Sequence, residues 1–229
     1  MITFARRKRD TGNSAPIIVR AISMILGLSV LALVLPFPSE AKAQASEGAS
    51  ARAQIQNDPV APRRGARKGD VVLVLFSDYQ CPYCRRLHPM LEQLLKEDPK
   101  VTVVYRDWPI LSQGSVDAAK AAIAANYQGK HKAFDAALMQ ISGRIGTEDI
   151  RAAATRAGVD WKRLQSDLKL HKDDIEGLLG RNDLYATMLG LSGTPGMLVG
   201  PYLVPGVVDM AGLRKVVGMA RARSGTTGD

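Results

Sequence analysis

The chain holds two cysteines, and both fall in one motif, Cys81-Pro82-Tyr83-Cys84. Two sulfurs three residues apart at the start of a helix can form and break a disulfide with each other. The first would sit where unpaired backbone N–H groups and the helix macrodipole stabilise an anion. A thiolate held there is both a nucleophile and a leaving group, which are the two properties thiol–disulfide exchange requires. Other readings of the same residues remain open at this point. The pair could be a structural disulfide. With His88, and with His131 or His171 as a fourth ligand, it could hold a metal. Asp78, three residues before Cys81, could tune a thiol or shuttle a proton; it could equally be a loop residue closing a strand. Arg85 and Arg86 would add positive potential beside the motif or form a solvated helix face. His131 and His171 read as surface residues, and Trp108, Met197 and Tyr202 as packing.

Elements on either side must place these groups. The apolar run Val71-Val72-Leu73-Val74-Leu75-Phe76 predicts a buried central strand. After the motif, Leu87, Leu91, Leu94 and Leu95 recur at helical spacing, with Pro89 inside as a kink. Asp98-Pro99 ends that helix, and Val101 to Tyr105 predicts a second strand, so the unit is a parallel pair with a crossover. Helical patterns follow over Ser115–Tyr127 and Lys130–Ile141, then after an N-cap at Thr147, after Asp160, and from about Asp173 to Leu189. Gly193-Thr194-Pro195-Gly196 leads into two short strands, Met197–Val199 and Tyr202–Val204, and Asp209 caps a terminal helix. The order is β-α-β, a helical insert, then β-β-α.

The composition, 46% hydrophobic and 23% charged, is that of a folded α/β domain. The net charge of +9 is concentrated at the start: beyond residue 43 there remain 25 Lys/Arg against 20 Asp/Glu. A mildly basic, solvated surface follows, with no basic run interleaved with aromatics and so no nucleic-acid partner. The start itself has the build of an export signal. Arg6-Arg7-Lys8-Arg9 and Arg20 precede an apolar core of 15 residues, Ala21–Leu35, which Pro36 and Pro38 break. Ala41-Lys42-Ala43 supplies the small residues of a cleavage site. The expected organisation is therefore a signal peptide over 1–43 with cleavage near Ala43 and a flexible linker over 44–69, where Arg63, Arg64, Arg67 and Lys68 lie exposed. A domain over 70–222 follows, with its helical insertion at about 112–190, then a loose tail over 223–229. Export to the periplasm or beyond suits a dithiol that must be cycled in an oxidising compartment.

Phe76-Ser77-Asp78-Tyr79-Gln80-Cys81-Pro82-Tyr83-Cys84, Trp108-Pro109-Ile110-Leu111, Tyr127-Gln128-Gly129-Lys130 and Gly193-Thr194-Pro195 together resemble the DsbA-like exported thiol:disulfide oxidoreductases, over about residues 55 to 222. The resemblance implies a thioredoxin-like α/β sheet with an inserted helical subdomain and no cofactor or metal. It implies an exposed nucleophile at Cys81, a more buried resolving cysteine at Cys84, and redox tuning by Pro82 and Tyr83. Pro195 would be a cis-proline facing the dithiol, and Thr194 before it would turn its backbone outward to dock an extended substrate. The implied partners are protein thiols and disulfides together with a membrane or soluble redox partner. Pro-Tyr between the cysteines and Thr before Pro195 resemble the isomerase and reductase members more than the strong oxidase. The direction of electron flow and the oligomeric state stay open, as does a non-catalytic metal- or peptide-binding use of the fold.

Overall fold

The computed structural model describes residues 40–225. The export-signal reading therefore falls outside the described residues over 1–39. In chain order the elements are α1 (Glu40–Gln56), β1 (Arg63–Gly65), β2 (Val71–Ser77), α2 (Pro82–Glu97), β3 (Val101–Asp107), α3 (Gln113–Asn126), α4 (His131–Leu138), α5 (Thr147–Arg156), α6 (Trp161–Leu170), α7 (Lys172–Met188), β4 (Gly196–Val199), β5 (Tyr202–Pro205) and α8 (Met210–Gly225). The five strands form one sheet in the order β1-β3-β2-β4-β5. Only the β2–β3 pair is parallel, and α2 is its crossover.

Period-two alternation divides the core between the two faces of this sheet. Val71, Leu73 and Leu75 of β2, with Val101, Val103 and Tyr105 of β3, pack on Leu87, Leu91 and Leu94 of α2 and on Leu213 and Val217 of α8. Val74, Phe76 and Val104 face the other way, into a core built by α3 to α7 and by Ile55 of α1. Because β2 is covered on both faces it reads as an unbroken apolar run. Alanine dominates the buried side of α3, where Ala118, Ala121, Ala122 and Ala125 allow close helix approach. Asp160 caps α6 by accepting from the Arg163 N–H, and Asp209 caps α8 by accepting from the Gly212 N–H. At α5 the cap is Gly146 rather than Thr147; its N–H donates to Asp149 Oδ2.

Segment 44–69 departs from the expected linker. It holds most of α1 and all of β1, and β1 pairs antiparallel with β3. The cause is Arg106, which lies on the insert-facing side of β3 and is fully buried. Its guanidinium donates to the carbonyls of Gln54 and Ile55 at the end of α1, to Asp58 Oδ2 and to Asn182 Oδ1 of α7. Asp58 also receives Arg181 at 2.7 Å. A polar segment is thus ordered by a buried charge cluster rather than by apolar burial. Arg64, expected exposed, is nearly covered, pairing with Glu92 of α2 and donating to the Tyr105 hydroxyl. His131, expected at the surface, is only 4% exposed and lies edge-on to Tyr105. The tail also starts later than expected, because α8 continues to Gly225.

Candidate active site

The β2–α2 turn carries the motif. Cys81 occupies the N-cap of α2, and Pro82 opens the first turn, where its missing N–H costs nothing. The cap side chain is the Cys81 sulfur itself, and the backbone N–H groups of Tyr83 and Cys84 in the first turn of α2 act on it. Both cysteines are free, and the site is in its dithiol form. The Thr194–Pro195 peptide is cis, and the Cys81 thiol donates to the Thr194 carbonyl oxygen at 3.2 Å. The Pro195 carbonyl is taken by the Gly206 N–H, which ties this loop to the end of β5.

The electrostatics separate the two sulfurs. The Cys84 thiol hydrogen-bonds Cys81, and the Thr194 side chain and the backbone N–H groups of Tyr83 and Cys84 add donors. Against the cost of burial these hold the Cys81 thiol down to about 5. The hydrogen bond to Cys81 and then burial push Cys84 far up, so it keeps its proton. The Thr194 carbonyl works the other way, because a thiolate has no hydrogen to give it.

One expectation fails here. Cys81 was expected exposed, yet it is 5% exposed against 3% for Cys84. The Thr194 carbonyl, distant in sequence, lies against the sulfur. The exposed residues beside the sulfur are Pro82 and Tyr83 of the motif.

Asp78 is buried and acts as a staple. Its Oδ1 accepts from the Gln80 N–H at 2.8 Å and the Ser115 hydroxyl at 2.7 Å, and its Oδ2 accepts from the Leu111 N–H. Its own backbone N–H reaches Cys84. Its carboxylate thus holds the motif loop against the start of α3. Gln80, which drew no attention in the sequence, completes the join: its amide nitrogen donates to Ser112 and Ser115, and its oxygen accepts from the Ile145 N–H. His88 directs Nε2 to Asp135 of α4 at 3.1 Å, and the Tyr79 hydroxyl reaches the same carboxylate. His88 therefore links α2 to the insert. Arg85 donates to the Tyr79 carbonyl. Trp108 donates Nε1 to Asp183. Among the described residues no three His, Cys, Asp or Glu side chains are placed to hold a metal.

A dithiol at a helix N-terminus, faced by a cis-proline loop in a sheet of this order, defines the thiol–disulfide oxidoreductase class of thioredoxin-like fold. Residues 72–218 match the model of the DSBA-like thioredoxin domain, and the chain belongs to that family. Among solved structures it is similar to a thioredoxin-like oxidoreductase from Silicibacter pomeroyi DSS-3, at 42% identity and a TM-score of 0.71 over 75% of this chain and 98% of that one. A periplasmic thioredoxin-like protein from Salmonella enterica serovar Typhimurium matches at 30% identity and a TM-score of 0.68, over 76% and 97% of the two chains. The thiol-disulfide exchange protein alpha-DsbA2 from Wolbachia pipientis matches at 29% and 0.72, over 80% and 98%. The curated relatives are Na(+)/H(+) antiporters NhaA. That of Salinispora arenicola is 28% identical over 144 residues, 59% of this chain, and the chain spans about a fifth of its length (21%).

Proposed function

We propose that the chain is an exported enzyme that exchanges disulfides with protein substrates through Cys81 and Cys84. The observation that carries this reading is the Cys81 thiol at the N-terminus of α2, 3.2 Å from the carbonyl that precedes the cis-proline. In the oxidised form a substrate thiolate attacks Cys81. A Cys81–substrate disulfide forms, the Cys81–Cys84 bond breaks, and Cys84 leaves and takes a proton. A second substrate thiolate then attacks the substrate's own sulfur in the mixed disulfide. The substrate gains a disulfide and Cys81 departs as a thiolate, so two electrons have moved to the enzyme. A Cys81 pKa near 5 makes it a good leaving group, and a high one at Cys84 keeps the resolving thiol protonated until it is needed. Pro82 and Tyr83 set the donors around the thiolate, Asp78 positions their loop, and the Thr194 backbone docks the substrate as an extended strand.

The lowered Cys81 pKa favours the oxidising direction, because stabilising the thiolate stabilises the reduced enzyme. Against glutathione, a potential near −120 mV would support oxidation and one near −270 mV reduction. Cys81→Ser should abolish exchange, whereas Cys84→Ser should accumulate mixed disulfides. Full exchange by the Cys81 variant eliminates the mechanism. Export rests on the basic and apolar pattern of the first 43 residues and on the periplasmic relative. N-terminal sequencing of the protein recovered from the periplasm tests cleavage near Ala43. A soluble or membrane redox partner would re-oxidise the dithiol after each turnover.

A further inference from the structure

Beside the Thr194–Pro195 loop lies an open depression of about 460 Å³, and Tyr83, Arg86, Thr194, Pro195, Pro205 and Val207 are among its walls. It holds no Asp or Glu. Tyr83 is 54% exposed and Arg86 is exposed too, with its guanidinium 4.8 Å from the centre of the Tyr83 ring. Arg64, Arg106, Arg181, Arg214 and Arg221 each reach a carboxylate. Arg86 reaches none among the described residues, and its one recorded contact is the ring. The depression on the other side of the motif, lined by Gln80, Leu111, Ser112 and Arg144, likewise contains an arginine and no acidic residue. A guanidinium laid on an aromatic face keeps its N–H fork free and has already given up much of its rotamer freedom. Such a fork is matched by a carboxylate, which it can bind through two parallel hydrogen bonds.

We propose that Arg86, held on Tyr83, selects substrate segments that carry a carboxylate side chain close to the reacting cysteine. This rests on the exchange reading above and names a substrate class for it. The depression adjoins the loop that would dock the segment, so residues flanking the substrate cysteine pass over Arg86. The contact is solvent-exposed, so its contribution is modest and sensitive to salt.

The test uses the full chain, oxidised, and three two-cysteine peptides that differ only in having Glu, Gln or Lys in the positions flanking one cysteine. Second-order rate constants for peptide oxidation should rank Glu above Gln above Lys, with about three- to tenfold between Glu and Lys at low salt. The ratio should fall towards one at high salt. Arg86→Glu should invert the order. Because all three peptides meet the same Cys81 within each variant, any effect of residue 86 on the thiolate cancels in the ratio. Equal rates for the three peptides, or an unchanged ratio in Arg86→Glu, overturn the selection while leaving exchange intact. Failure to oxidise any of the peptides sinks the exchange reading itself.

Discussion

The chemistry of this domain rests on two chemically alike side chains made unlike by their surroundings. Cys81 receives hydrogen bonds and Cys84 gives one, so one titrates near 5 and the other holds its proton. Cys84→Ala removes the largest of the donors to Cys81, and the Cys81 pKa should then rise by about one to two units. Thiolate absorbance followed against pH reads this directly, and an unmoved titration would show that the helix N-terminus alone holds the anion. A stability consequence follows. The folded-state pKa lies below the ordinary thiol value of about 8.5. The thiolate's contribution to the reduced protein is therefore complete above that value and is lost as pH falls through about 5. The disulfide form has no thiol to titrate. The urea midpoint of the reduced form should thus rise relative to the oxidised form between pH 5 and 8.5, and parallel curves would contradict the assignment. Asp78 poses a different question. Asp78→Asn keeps the shape but turns one of its two acceptor oxygens into an amide donor, set against the Leu111 N–H or against the Gln80 N–H and the Ser115 hydroxyl. A loss of about 1–3 kcal/mol in urea unfolding is expected. A variant as stable as the parent would remove Asp78 from its role as a staple.

Among the secondary-structure elements, most are held by apolar burial and the N-terminal arm is held by charge. Replacing Arg106 with Met would leave the α1 carbonyls without their donor and Asp58 with only Arg181 and the Val60 N–H, at a cost of about 1–3 kcal/mol. The loss should be concentrated at α1 and β1, so protease cleavage near residues 54–62 should accelerate before the sheet unfolds. If cleavage in that stretch does not change, the arm is anchored by something other than the guanidinium. The same contrast decides what could be read from the chain beforehand. Strand β2 was legible because Val71 to Phe76 is apolar without interruption, and α2 because its leucines recur at helical spacing. The two cysteines stood out by their spacing before a helical pattern, whereas Thr194-Pro195 was singled out by the resemblance alone. Helix α1 was not, because among its described side chains only Ile55 is a buried aliphatic of any size. What orders it is Arg106, whose partners Asp58 and Asn182 lie 48 and 76 residues away in the chain. The burial of Cys81 was hidden for a related reason: Thr194, whose carbonyl touches it, is 113 residues on. Pairings over such separations leave no periodicity in the sequence.

For the molecule as a whole, two buried groups oppose each other in the pH dependence of stability. His131 has no protein partner at either ring nitrogen, and burial lowers its pKa to about 4. Unfolded, it would take a proton below about 6.5. Its contribution is therefore present above 6.5 and is lost as pH falls towards 4, giving stability that rises with pH in that window. Asp107 is the mirror case. Burial, with Asp135 and Asp78 nearby, raises its pKa well above the ordinary carboxylate value, so just above a pH of about 4 it keeps its proton when folded and loses it when unfolded. Its contribution is present below 4 and is lost as pH rises. Above a pH of about 4 the folded state thus lacks a proton at His131 and keeps one at Asp107, and the two slopes oppose each other. Each slope alone is worth about 1.4 kcal/mol per pH unit. In the oxidised protein, which has no thiol to titrate, His131→Leu should expose the Asp107 term, so its urea midpoint should fall as pH is raised from 4.5 to 6. Asp107→Asn should expose the His131 term, and its midpoint should climb over the same interval. Two variants that drift in the same direction would mean that at least one of these groups is not held in the protonation state its burial dictates.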